Sequence, residues 1–315
     1  MKTHSANEAK ASFDHIYSEP TPHDYYHHLG RLDYSICDEV QPFCTAAAEL
    51  LRGRGQAVRM FDIGCSYGIN GTILRHGLKF SELNRLFALN VSKQVERAAD
   101  DTRTALDRAG RQCELSNGGL DMSRPAIEFA RDAGILQHGI VADLEADPGA
   151  LTDADRAWLG ETNLLISTGA IGYVTDRTLD ALLDAMGEKA GDAIVLLTVL
   201  RVFDTGPIER ALARHGLTAR ILPDVLLPQR RFADTAEQEG IIEVLESNQL
   251  DTRLERGGRH LARLLVAAKS ERMPEVLLRM SEVARARPTL ADSPPPRRPA
   301  GIEAATSGNH ESSDE

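Results

Sequence analysis

A doubly wound α/β fold, built on a mostly parallel sheet of seven strands, is predicted by three features of this 315-residue sequence. Short runs that are apolar almost throughout, such as Ala193 to Leu200, alternate with segments whose apolar residues recur every three or four positions, as buried parallel strands and crossover helices do. The first run, Val58 to Ile63, leads through Gly64-Cys65-Ser66-Tyr67-Gly68 into a helical segment. Asp121 and Asp143 end two later runs, which puts carboxylates where open α/β sheets bind ligands.

The elements follow in order. Val58 to Ile63 is strand one, and Asn70 to Leu78 opens its crossover helix. Lys79 to Gly110 reads as extra helix, with Phe80, Leu83, Leu86, Phe87, Leu89, Val91, Val95 and Ala98 spaced for one face, and Ser81 and Ser92 as caps. A second strand ends at Asp121, and Pro125 to Ala133 is helical. Gly139 to Leu144 is the third strand and Asn163 to Ser167 the fourth, with a loop at 168–173. A helix from Asp176 to Lys189, capped by Thr175 or Asp176, ends near Gly191. Ala193 to Leu200 is a buried strand, Pro207 to His215 a helix, Leu217 to Leu222 a strand, Ala233 to Asn248 a helix and His260 to Lys269 a closing strand. Pro274 to Ala286 predicts one more helix, and the Pro- and Ser-rich stretch after it predicts a disordered tail.

Composition narrows the function. A net charge of −11 argues against a nonspecific grip on nucleic acid, which needs a basic stripe. Cys37, Cys44, Cys65 and Cys113 show neither zinc spacing nor a C-x-x-C pair, so reduced thiols and a cytoplasmic setting are expected. No apolar run approaches the roughly 20 residues of a membrane span, and no leader h-region is present.

The glycine loop carries the chemistry. A dinucleotide fingerprint needs G-x-G-x-x-G, but Ser66 and Ile69 stand at the second and third glycine positions. The pattern Asp62-Ile63-Gly64-Cys65-Ser66-Tyr67-Gly68 resembles motif I of the class I S-adenosylmethionine (SAM) methyltransferases, and the resemblance runs from about Val58 to Lys269. It implies SAM as cofactor, held by Asp62, Gly64, Cys65, Ser66, Tyr67, Gly68, Met122, Leu144, Thr168 and Gly169. It further implies that Asp121 accepts the ribose hydroxyls and Asp143 the adenine amino group. The helical stretch between loop and acid is longer than the family's usual spacing, which leaves Asp100 and Asp101 as alternatives to Asp121. The implied domains are an N-terminal helical, aromatic-rich lid (1–55), a SAM-binding Rossmann-like domain (56–270, with the helical insertion at about 79–110), a helix (271–286) and a tail (287–315).

Four of the six tyrosines and five of the ten histidines precede the glycine loop. They read as a lid closing over sulfonium and substrate, with a surface helix or a metal site as alternatives, though no matching carboxylate or cysteine set supports a metal. Tyr17, Tyr25 and Tyr26, with Arg201 directly after the fifth strand and Arg231 in the late-loop run Gln229-Arg230-Arg231-Phe232 as carboxylate-binding forks, are the substrate candidates. Tyr173 is the leading catalytic candidate, with His15 and His28 as possible bases beside His27, since imidazole titrates near neutrality.

Taken together, these residues predict methyl transfer to a small, carboxylate-bearing metabolite. The loop after strand four lacks the Asn/Asp-Pro-Pro-Tyr sequence of amine and nucleic-acid methylases. Three alternatives stand beside that reading: a cyclase of the same fold that closes SAM's own arm to azetidine-2-carboxylate with release of methylthioadenosine, a non-catalytic SAM-binding subunit, and an NAD oxidoreductase. The insertion is expected to be a lid, a homodimer contact or a packing helix.

Overall fold

The computed structural model describes residues 10, 14–89 and 95–287. Among them, β1 (Arg59–Ile63), β2 (Ser116–Asp121), β3 (His138–Val141), β4 (Leu164–Ser167), β5 (Ile194–Leu200), β6 (Leu217–Arg231) and β7 (Arg259–Lys269) form one sheet in the order β3-β2-β1-β4-β5-β7-β6. Pairs from β3 to β5 are parallel, whereas β7 runs antiparallel to both β5 and β6. The sheet is therefore mixed at one edge.

Alternation along the strands builds two cores. Met60, Leu164, Ile166, Ile194 and Leu196 face one side, while Phe61, Ile63, Leu165, Val195 and Leu197 face the other. The first side is covered by α2 (His23–Arg31), α3 (Ile36–Gly53), α4 (Ile69–His76), α5 (Phe80–Leu89), α6 (Val95–Ala109), α7 (Arg124–Asp132), α11 (Thr235–Ser247) and α12 (Met273–Ala286). The second is covered by α8 (Asp153–Leu159), α9 (Asp176–Met186) and α10 (Gly206–Arg214). A short α1 (Asp14–Tyr17) precedes them. Each fully buried Leu or Phe of these strands contributes roughly 1.5–3 kcal/mol.

Local chemistry sets the helix starts. Ser123, Thr175 and Asp234 accept backbone N–H groups at the heads of α7, α9 and α11, and Thr152 with Asp155 forms a capping box on α8. The extra helical stretch is two helices, α5 and α6. Residues 90–94, which hold Val91 and the expected cap Ser92, lie outside the described residues, as does the tail after 287. Phe80, Leu83 and Phe87 of α5 are buried. Tyr26 of α2 stacks on Phe87 with ring centroids 4.6 Å apart, so the insertion is packed against the N-terminal helices.

The largest departure from expectation is β6. It runs fifteen residues, not the six of Leu217 to Leu222. Pro223 and Asp224 (φ +59°) do interrupt the ladder, whose pairing steps from Ile221–Leu265 to Leu226–Arg263, but β6 is an edge strand, where bulges and proline are tolerated, and it resumes beyond them. Gln229-Arg230-Arg231, expected in a loop, therefore ends a strand.

Candidate functional site

Strand order reverses between β1 and β4, and the loops after these two strands meet. Gly64 and Gly68 take φ of +71° and +77°, and Ser66 between them takes +48°, a conformation that costs a side-chain-bearing residue on the order of 1–3 kcal/mol. A Cβ on Gly64 would lie 2.5 Å from the Cβ of Ala170, so glycine is required for the two loops to touch. A cleft of about 470 Å³ opens at this switch point, within the roughly 300–1,000 Å³ usual for small-molecule sites.

One end of the cleft lies over the tips of β2 and β3. Asp121 Oδ2 accepts the Ser66 amide at 2.8 Å and Oδ1 the Ser123 amide at 2.9 Å. Burial pushes its carboxyl up, and the amides of Ser123, Ser66 and Met122 oppose that shift. Asp143 stands two residues beyond β3, in the loop rather than at the strand end. Its Oδ1 accepts the amides of Glu145 and Ala146, each at 3.0 Å. Met122, 69% exposed, and buried Leu144 add apolar surface to the same end.

The loop amides are engaged within the protein. Those of Gly64 and Cys65 donate to the Leu120 carbonyl at 2.8 and 3.0 Å, that of Gly68 donates to the Cys65 carbonyl at 2.8 Å, and that of Ser66 donates to Asp121. A pyrophosphate cradle needs such amides turned toward the ligand.

The other end lies over β4 and β6, against the N-terminal segment. Asn70 Nδ2 donates to Asp62 Oδ2 at 2.9 Å and to Thr168 Oγ1 at 2.8 Å, linking β1, α4 and the loop after β4. Burial pushes the Asp62 carboxyl up to about 7, with the Asn70 bond opposing and the Asp121 charge adding. Asp62 Oδ1, Asn70 Oδ1, Ser66 Oγ and Gln229 Oε1 are buried without a hydrogen-bond partner. Tyr17, Tyr25 and Tyr34 form an aromatic wall, Tyr25 lying 5.5 Å from Tyr17 and 6.5 Å from Tyr34. Burial pushes all three phenols up, so they stay neutral.

Two cations border this end. Arg230 donates both guanidinium nitrogens to Glu237, at 2.8 and 2.6 Å. Burial opposes ionisation of Glu237, but the Arg230 guanidinium holds its carboxyl well below the usual range. His260 Nε2 lies 3.1 Å from Glu237 Oε1 without the alignment of a hydrogen bond, and burial keeps the imidazole near 4. Lys10 Nζ sits 4.5 Å from the Tyr173 ring centre and 5.7 Å from that of Phe203. Burial, with the Arg230 charge adding, lowers the lysine to about 8.

Of the residues expected at a cofactor, Gly64, Cys65, Ser66, Asp121, Met122, Asp143, Leu144, Thr168 and Gly169 line this cleft. Asp62, Tyr67 and Gly68 do not. Asp62 meets the cleft residue Asn70, Gly68 precedes α4, and Tyr67 turns away to donate to the Glu19 carbonyl at 2.7 Å. Tyr17, Tyr25 and Tyr173 line it too, whereas Tyr26 is occupied with Phe87. Arg201 donates to both oxygens of Glu255 at 2.7 and 2.6 Å, and Arg231 faces Asp33 at 2.9 Å, so neither expected fork points into the cleft. His28 lies beside His27 and away from the lining, and the His15 side chain is outside the described residues. Lys10, Tyr34, Cys37, Asn70, Gln229 and Arg230 line the cleft without having been assigned to it. Tyr34 lay in the aromatic cluster and Gln229-Arg230 in a noted motif, but Lys10 and Cys37 carried no local signal.

Among the described residues, no group of three or more His, Cys, Asp or Glu could hold a metal ion, and no helix is long and apolar enough to cross a membrane.

No protein-family model and no curated protein matches the chain. Among solved structures it is similar to a TehB-like SAM-dependent methyltransferase of Corynebacterium glutamicum, at 15% identity and a TM-score of 0.34 over 71% of this chain and 88% of that one. It is similar to the magnesium protoporphyrin IX methyltransferase of Synechocystis with SAM bound, at 11% and 0.34 over 73% and 79%. The plantazolicin methyltransferase BamL, in complex with a triazolic desmethylPZN analog and S-adenosylhomocysteine (SAH), gives 11% and 0.41 over 78% and 90%. Likeness at this level transfers neither substrate nor residue roles.

Proposed function

We propose that the chain is a SAM-dependent methyltransferase acting on a small, carboxylate-bearing metabolite. The observation that carries this reading is the glycine loop. Its amides are engaged by Leu120, Cys65 and Asp121, while one carboxylate at the tip of β2 and another in the loop after β3 line the cleft. That arrangement suits a nucleoside without a phosphate.

The residues fit such a group. A carboxylate offers about four acceptor sites, so Asp121 retains capacity for two ribose hydroxyls beyond the amides of Ser66 and Ser123. Asp143 is the acceptor for an exocyclic amine, and Met122 and Leu144 supply apolar surface for a flat base. The unpartnered Ser66 Oγ and Asn70 Oδ1 offer polar contacts to the amino-acid arm. When bound, SAM supplies a methyl group on an electron-poor sulfonium. Neutral phenol rings of Tyr17, Tyr25 and Tyr34 attract positive charge with their faces and keep water out. Lys10 supplies the positive charge that a carboxylate-bearing acceptor needs, and Tyr173 beside it orients that acceptor at the mouth. Alignment of the acceptor is then the main demand on the protein.

The test is incubation with methyl-labelled SAM and a mixture of small carboxylates, read by mass spectrometry. Label transferred to a carboxylate, with equal SAH, supports the reading. Methylthioadenosine without SAH would overturn it.

A further inference from the structure

Strand β6 carries a one-residue irregularity next to the cleft. Pro228 pairs with Leu261 and Arg230 with His260, so Gln229 is the extra residue of a bulge. Neighbours in a regular strand face opposite sides of the sheet. Here Gln229 and Arg230 both line the cleft, because a bulge re-aims a side chain. Gln229 is only 6% exposed, and its Oε1 has no donor. A buried carbonyl without a donor is costly unless a ligand completes it. Gly169 leaves the space the amide fills, since a Cβ there would lie 2.9 Å from Gln229 Nε2 and 3.6 Å from the Tyr34 hydroxyl. Lys10 brings a positive charge to the same cleft. A bare acceptor and a cation lining one cleft are complementary to a zwitterion.

We propose that Gln229 recognises the second substrate through an N–H group, and that this substrate is a small amino acid whose ammonium meets Gln229 Oε1 and whose carboxylate meets Lys10. This rests on the reading of the cleft as a SAM site and names the acceptor class within it.

Calorimetry on the full chain tests it in two stages. SAH is titrated first, and absence of binding sinks the cofactor reading itself. The SAH-saturated protein is then titrated with glycine, alanine, serine, homoserine, aspartate, glutamate and histidine, and with the matching acids that lack the amino group. The expected result is that at least one amino acid binds, that its des-amino counterpart binds roughly tenfold or more weakly, and that Gln229→Met loses the amino acid by a similar factor with SAH affinity unchanged. Gln229→Glu, which keeps an acceptor, should retain it. Should Gln229→Met fail to fold, the des-amino comparison in the unaltered chain decides, whereas a folded Gln229→Met that has lost SAH binding would place Gln229 at the cofactor and overturn the proposal. Equal binding of the two series overturns the proposal, as does full binding by Gln229→Met, or SAH binding with no amino acid bound.

Discussion

The carboxylate of Asp121, at the tip of β2, accepts the backbone N–H of Ser66 at 2.8 Å and so fastens the glycine loop that follows β1. One side chain thereby does two things. It holds a left-handed serine in place, and it presents its remaining lone pairs to the cleft. Asp121→Ala should weaken SAH binding by about 1.5–3 kcal/mol, the value of hydrogen bonds to a charged group. Calorimetry checks this, and unchanged affinity would place the ribose acid elsewhere.

Tyr67 was expected at the cofactor and instead ties down the N-terminal segment. Its hydroxyl donates to the carbonyl of Glu19 at 2.7 Å, with that of Ile16 3.4 Å away. Tyr67→Phe should cost about 0.5–1.5 kcal/mol of stability, one net hydrogen bond, and should speed proteolytic cleavage before α2. Limited proteolysis followed by mass spectrometry reads the cleavage site; an unchanged pattern would mean the hydroxyl does not anchor the segment.

Glu237 is 5% exposed and Arg230 3%, and both guanidinium nitrogens reach the carboxylate. Removing one member of a buried pair costs about 3–5 kcal/mol, which is what Glu237→Gln should show in urea unfolding. Glu246, paired with Arg256 at the surface, is the control. Glu246→Gln should leave the midpoint almost unmoved, because solvent screens that pair.

Asp62 gives a pH dependence of defined sign. With its carboxyl raised to about 7 by burial, the folded chain keeps a proton that the unfolded chain releases near a pKa of about 3.9. Stability from the neutral form is full below the unfolded pKa and is lost as pH rises through the folded one. Asp62→Asn does not titrate, so its stability relative to the unaltered chain should rise from about pH 4 to about pH 7, the interval between the two pKa values. Urea midpoints of both proteins across that window measure it. A parallel pair of curves would mean Asp62 is ionised throughout.

What the sequence made legible is what its neighbours along the chain decide. The apolar run to Ile63, the turn at Gly64 and the acid at Asp121 are local signals, and the structure places all three at the switch point. The direction of β7 depends on which strands flank it, and Arg259 to Lys269 would read the same either way. Gln229 faces the cleft only because His260 and Leu261 pair around it, so its orientation is a property of two strands. Arginine forks at 201 and 231 looked suited to a carboxylate, yet Glu255 and Asp33 lie close enough to take them. Lys10 reaches the cleft across the fold from an opening with no periodicity.

A cleft that takes a nucleoside without a phosphate should bind SAH and refuse NAD. Titration of the full chain with SAH, and separately with NAD, decides this. One SAH per chain and no NAD binding is the expected result. Binding of NAD with none of SAH would contradict it, and would mean that the amides of Gly64, Cys65 and Ser66 turn outward to a pyrophosphate.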